Sequence, residues 1–147
     1  MRSASKLTAN TVATRHMFRL LLLVALVTGW GGAARADDVY VVCNAGVELQ
    51  SGDVRDLFTG EKSFAGRVRL SPADNLAAQA AFLERVLKLN ATKYLSLWTK
   101  KAFRDGANPP LLKGNDAEAL AYVIQTPGGC SYVGTPPPVT VAIVARY

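Results

Sequence analysis

Histidine is almost missing from this chain: of 147 residues only His16 is one. Metal centres built on mixed Cys/His ligands and proton transfer through imidazole therefore have no residues to work with. Cysteine is nearly as scarce. Cys43 and Cys130 stand 87 positions apart, so the Cys-x-x-Cys spacing of dithiol redox motifs is absent. Acidic residues are missing from positions 1–36 altogether, while five of the 17 basic residues fall there. The formal charge of +6 is thus concentrated in that segment, and the remainder carries 12 basic against 11 acidic side chains. A balanced chain of that kind is no polyanion binder, and Lys100, Lys101 and Arg104 in "WTKKAFR" read as a solvated helix face instead of a nucleic-acid patch.

What is present at the start is a targeting pattern. Arg2, Lys6, Arg15 and Arg19 precede the apolar run Leu20 to Val27, and "GGAARA" supplies small residues at Ala34 and Ala36. These are the basic region, apolar region and cleavage site of a bacterial secretory signal, expected to be cut before Asp37. The apolar run is too short to span a bilayer, so no membrane span is expected after cleavage. Met17 is an alternative start, since "MFRLLLLVALVTGWGGAARA" is a complete signal by itself. The expected product is a periplasmic domain of residues 37–147, large enough for one modest core and in a compartment that permits disulfides.

Beyond Asp37 the pattern alternates between strand and helix. "DVYVVCN" reads as a strand buried on both faces, and "QSGDVRDLFTG" as a short helix with Ser51 as cap and Gly60 as stop. "GRVRLS" is expected to form the second strand. Asp74 or Asn75 then caps a helix whose Leu76, Ala80, Leu83 and Leu87 recur at helical spacing. "NATKYLSLWTKKAF" is a helix capped by Thr92, with Trp98 and Phe103 expected in the core, and "RDGANPPLLKGN" is loop because of its prolines and glycines. "DAEALAYVIQTPGG" is the last helix, followed by the strands "CSYVG" and "VTVAIVARY". Alternation of this kind indicates an α/β layer structure.

"VYVVCN", "LFTGEKSF", "FLERVL", "LWTKKAFRDGANPP" and "VIQTPGGCSYVG", in that order, resemble the second lobe of the phosphate ABC-transporter substrate-binding protein family. The similarity covers nearly all of residues 38–147. It implies a single lobe of a type II periplasmic-binding-protein-like fold, a mixed sheet flanked by helices. It also implies a small anion as ligand. Members of that family are two-lobed clamshells, and the first lobe has no counterpart here, so hinge closure would need a second subunit.

A second departure concerns the ligand. The family's loop in this lobe is a Ser-Gly-Thr-Arg run whose Arg lies three residues before a helix Phe. Counting back from Phe82 places Gln79 at the Arg position, Ala78 at Thr, Ala77 at Gly and Leu76 at Ser. Each charge-assisted hydrogen bond to an anion is worth about 1.5–3 kcal/mol, so loss of the Arg weakens the site by roughly ten- to a hundredfold. The polar residues left to bind a ligand are Asn44, Ser71, Asn75 and Gln79, each of which also fits an ordinary role in turns, caps or a solvated first turn. The resemblance further sets Cys43 and Cys130 on neighbouring strands. Two outcomes are open there, a disulfide or a pair of buried thiols.

Asp53 and Asp56 sit one turn apart near a helix start, where carboxylates are favourable without any catalytic purpose. No nucleophile with a base and an orienting group is evident, and neither enzymatic activity nor a cofactor is expected. The function expected is weak binding of phosphate or another small oxyanion, with an envelope protein-interaction module as the alternative. Amino-terminal sequencing of the protein from a periplasmic extract should begin at Asp37; intact, membrane-bound material retaining Leu20 to Val27 would overturn the export reading.

Overall fold

The computed structural model describes residues 38–147; the expected signal segment and its cleavage site lie outside them. Five strands form one mixed sheet. β1 (Tyr40–Asn44) lies between β6 (Gly129–Val133) and β7 (Val141–Arg146), antiparallel to both. β4 (Ser71–Asn75) runs parallel to β6 and to β5 (Leu111–Lys113), and the order is β5-β4-β6-β1-β7. A small hairpin of β2 (Phe64–Ala65) and β3 (Val68–Arg69) stands apart from the sheet. This is the α/β architecture expected, with helices flanking a mixed sheet.

Alternation along β1 sends neighbouring residues to opposite faces. Val41 and Cys43 join Tyr132, Phe58, Phe82, Leu87 and Trp98 in the larger core. Val42 joins Val133, Ala119 and Val123 in the smaller one. The larger core is roofed by α1 (Val54–Phe58), α2 (Gln79–Phe82, continued by the π turn Leu83–Leu87) and α3 (Ala91–Asp105). The opposite face is covered by α4 (Asp116–Gln125). Among the described residues, no helix is long and apolar enough to cross a membrane.

Several boundaries differ from expectation, each for a local reason. The second long strand is "SPADN", not "GRVRLS": Val68 and Arg69 belong to the hairpin, and the chain enters the sheet only at Ser71. Pro72 is tolerated there because β4 pairs with β6 at Ser71 and Pro72, and with β5 only from Ala73 onward. Asp74 and Asn75 are therefore strand residues. The α2 cap is Ala78, which gives no side-chain hydrogen bond. Gln50, not Ser51, caps the turn into α1, and its N–H reaches the Asp53 carboxylate at 3.1 Å. Asn90, not Thr92, caps α3, accepting from the Lys93 N–H at 2.8 Å. The segment expected as loop contains β5, since Pro109 and Pro110 end just before Leu111. Phe103 is 96 % exposed, because the buried face of α3 carries Tyr94 and Trp98.

The entry to β6 tolerates only glycine at its first turn. Gly128 has φ +77°, and a Cβ there would lie 1.9 Å from the Arg69 carbonyl oxygen. With β6 so placed, Cys130 faces Cys43 directly across the antiparallel pair and the two form a disulfide. Their Cα atoms are 4.1 Å apart, just short of the usual 4.4–6.8 Å span, in keeping with the close approach of directly opposed residues in an antiparallel pair. The bond spans 87 positions, and the chain-entropy account assigns such a loop about 4–5 kcal/mol. Reduction should therefore lower the melting temperature by about 10 °C or more. Non-reducing peptide mapping should recover Cys43 joined to Cys130, and two alkylatable thiols in freshly isolated protein would contradict the bond.

Candidate functional site

The sheet's parallel half creates a crevice. In open α/β sheets ligands collect outside the carboxyl ends of parallel strands, and Asp74 of β4 pairs in register with Leu112 of β5 at that end. α3 packs across the opening. Its Tyr94 and Trp98, four residues apart, share one helix face and turn inward. The resulting cleft has a volume of about 790 Å³, within the range of small-molecule sites. Leu83, Leu95, Phe103, Pro109 and Leu112 make its walls predominantly apolar, and Asp74, Gln79, Tyr94 and Trp98 supply the polar groups.

Asp74 is only 5 % exposed. The Tyr132 hydroxyl donates to its Oδ1 at 3.1 Å, and the Tyr94 hydroxyl lies 3.1 Å from both carboxylate oxygens. Burial disfavours the ionised form and pushes the carboxyl up to about 6, against the pull of the Tyr132, Tyr94 and Gln79 donors. Both tyrosines are pushed far above the ordinary phenol range, chiefly by their own burial and next by the Asp74 charge. Both are therefore protonated hydrogen-bond donors at neutral pH. An ionised carboxylate offers about four acceptor positions. Two tyrosine hydroxyls and the Gln79 amide do not fill them.

Trp98 adds a complementary group. Its indole Nε1 is buried with no well-formed hydrogen bond among the described residues, its only polar influence being a weak donor interaction that pulls the Tyr94 hydroxyl down against the larger effects raising it. The other end of the ring is fixed by Gly60, where an added Cβ would come within 2.7 Å of the indole. Gly60 also has φ +74°, so helix stop and ring seat are one residue. One apolar cleft thus holds a carboxylate met only by neutral groups and a donor with no partner among the described residues. Orphaned buried donors cost roughly 1–3 kcal/mol and are uncommon without a purpose.

The residues singled out from sequence do not converge on this cleft as a group. Gln79 lines it. Asn44 is occupied elsewhere: its amide donates to the Val123 and Ile124 carbonyls at 3.0 and 3.2 Å, closing the last turn of α4. The Ser71 hydroxyl shares a 2.6 Å hydrogen bond with the Tyr122 hydroxyl. Asn75 is fully buried, donating to Asp116 at 2.6 Å and to the Tyr132 carbonyl at 3.0 Å while accepting from the Ala77 N–H. Cys43 and Cys130 form their disulfide within the larger core.

Asp74, Tyr94, Trp98 and Tyr132 are the site residues that sequence reasoning overlooked. Asp74 carried a usable signal, being an acidic residue just before an apolar helix, but a cap explains that pattern equally well. Among the described residues, no group of three or more His, Cys, Asp or Glu side chains is placed to hold a metal ion. No protein-family model matches the chain, and no curated protein matches it either.

The elevated Asp74 carboxyl has a stability consequence. In the folded protein it holds its proton up to about pH 6, whereas an unfolded aspartate loses it near pH 4. The native state binds more protons in that window, so the contribution of Asp74 is most favourable below about pH 4 and is lost as pH rises through 6. The loss is of order 2–3 kcal/mol. Melting curves of the wild type and Asp74→Asn should show the wild type losing several degrees relative to the variant between pH 4 and 7. A difference that does not change with pH would contradict a buried, titrating Asp74.

Proposed function

We propose that residues 37–147 form a periplasmic solute-binding lobe, and that its ligand is a small amphipathic molecule held in the cleft between α3 and the carboxyl ends of β4 and β5. The single observation carrying this reading is the pairing, within an apolar cleft of about 790 Å³, of a buried Asp74 carboxylate met only by neutral side chains with a buried Trp98 N–H that has no partner among the described residues. The order of motifs shared with the phosphate-binding lobe supports the same class of function. The phosphate itself fits poorly. Among the described residues no lysine or arginine lines the cleft, and the charged side chain that does is a carboxylate. Free phosphate or sulfate should therefore bind no tighter than the high micromolar range, roughly −5 kcal/mol or weaker.

A second reading rests on the rim. Phe103, Leu95 and Leu112 are 96 %, 69 % and 59 % exposed around the mouth, a grouping that also suits an interaction module in the envelope.

The chain carries two tryptophans, Trp30 and Trp98, so a protein beginning at Asp37 reports on the cleft through Trp98 alone. Titration with 2-phenylethanol should change that emission saturably, whereas phosphate should leave it unchanged below millimolar concentration. Saturable micromolar binding of phosphate would sink the cleft assignment. The absence of any response to either compound would favour the docking reading.

A further inference from the structure

The cleft's charge goes further than its shape in naming a ligand. Asp74 lies at its floor, and the side chains that meet the carboxylate are neutral: Tyr94, Tyr132 and Gln79. The ion pairs joining Lys62 to Asp53, Lys101 to Glu61, Arg104 to Asp105 and Arg146 to Asp38 do not involve Asp74, and the side chains that act on its carboxyl are Tyr132, Tyr94 and Gln79. A buried charge without a counter-charge is expensive, and neutral hydrogen bonds compensate it only in part. A ligand bringing a positive charge to this point completes the site, and a ligand bringing a negative one opposes it.

We infer that the cleft selects an amphipathic ammonium compound, whose protonated amine meets Asp74, whose neighbouring oxygen accepts from the Trp98 N–H, and whose apolar body lies along Leu95, Phe103 and Leu112. The inference rests on the cleft being the ligand site. Each part of the molecule answers a separate feature. The amine supplies the donor and charge that the carboxylate lacks, and an ammonium-carboxylate hydrogen bond is about twice as strong as a neutral one. The oxygen satisfies a donor whose residue is only 6 % exposed and which has no well-formed hydrogen bond among the described residues. The body covers Phe103 and Leu95, which line the cleft and are otherwise largely exposed.

The class is also bounded by what the walls exclude. A bare inorganic cation finds one carboxylate and no second oxygen donor from Asp or Glu, which is too few ligands for Ca²⁺ or Mg²⁺. A dicarboxylate or phosphate ester brings its charge against Asp74. An alkyl chain without a polar head leaves both Asp74 and Trp98 unpaired.

Three probes separate these contributions: 2-phenylethanol, 2-phenylethylamine and phenylalaninol, titrated by calorimetry and Trp98 fluorescence at pH 7.5 into the protein beginning at Asp37. The amine should bind at least tenfold tighter than the alcohol, and phenylalaninol, which carries both groups, tighter than either. In Asp74→Asn the amine's advantage over the alcohol should shrink to within twofold. In Trp98→Phe, followed by calorimetry, phenylalaninol should lose its margin over the amine. Because the amine-to-alcohol ratio is measured on the unmodified protein, the test survives even if a variant folds poorly. Leu95→Ala with Phe103→Ala, both at exposed positions, should weaken all three probes together. If the alcohol binds as tightly as the amine, or if Asp74→Asn keeps the full amine preference, the cationic assignment is wrong while the cleft remains a ligand site. If none of the three binds, the cleft assignment falls as well, and the cationic inference with it.

Discussion

The interaction on which the rest of this domain depends is the one made by Tyr132. Its ring stacks on Phe82 of α2 at 3.8 Å and meets Phe58 of α1 edge-on at 5.4 Å. Its hydroxyl reaches across to Asp74 of β4, and its carbonyl accepts from Asn75. One fully buried residue thus joins β6, β4, α1 and α2. Aromatic packing of this kind adds about 0.5–1.5 kcal/mol per pair beyond area burial. The hydrogen bond at its tip decides something else: it fixes where the Asp74 carboxylate sits. Core and site are built from the same side chain.

That sharing explains why a carboxylate is retained in an otherwise apolar setting. A buried charge without a counter-ion is normally replaced by packing, which tends to be as stable or more so. Here Tyr94 and Tyr132 both aim hydroxyls at the same group, so removing Asp74 would take away the acceptor of the Tyr132 hydroxyl and leave Tyr94 only the longer 3.4 Å bond to the Phe58 carbonyl. The cost of keeping the charge is offset elsewhere, by the crosslink between β1 and β6 and by the tight caps at Asn90 and Asn115. Stability located in the strand pairing leaves the crevice free to hold groups that the fold itself does not need.

Much of the scaffold was legible because its signals are periodic. β1, α3, α4, β6 and β7 follow from apolar alternation, helical spacing and glycine stops. The adjacency of Cys43 and Cys130 was only an expectation of the resemblance, with bond and free thiols both open, and the pairing of β1 with β6 decides it for the bond. The parts that were not legible lie where one residue type serves two structures. "SPADN" has a proline and two cap-forming residues, so it reads as a turn, and only the stagger between β5 and β6 makes it a strand. Leu111 and Leu112 follow two prolines and belong to an edge strand three residues long. For the site, Asn75 and Ser71 were legible as polar residues at the right junction, yet two α4 side chains claim them, the Asp116 carboxylate accepting from Asn75 and the Tyr122 hydroxyl bonding Ser71. Tyr94 and Trp98 looked like core, and they are core. What sequence does not carry is that one edge of that core opens.

The strand order has a consequence for how the chain comes together. β1 is the first strand of the sheet, but its two neighbours, β6 and β7, are the last two, starting only at Gly129 and Val141. A chain delivered amino-terminal end first therefore holds an apolar strand with no partner until nearly every residue has followed. Such pairing is slow, since loop closure over the whole intervening length precedes any reward. It also works as a completeness check. A product truncated before Gly129 has neither the second cysteine nor a strand to lie against β1, and cannot settle into a half-built version of the sheet.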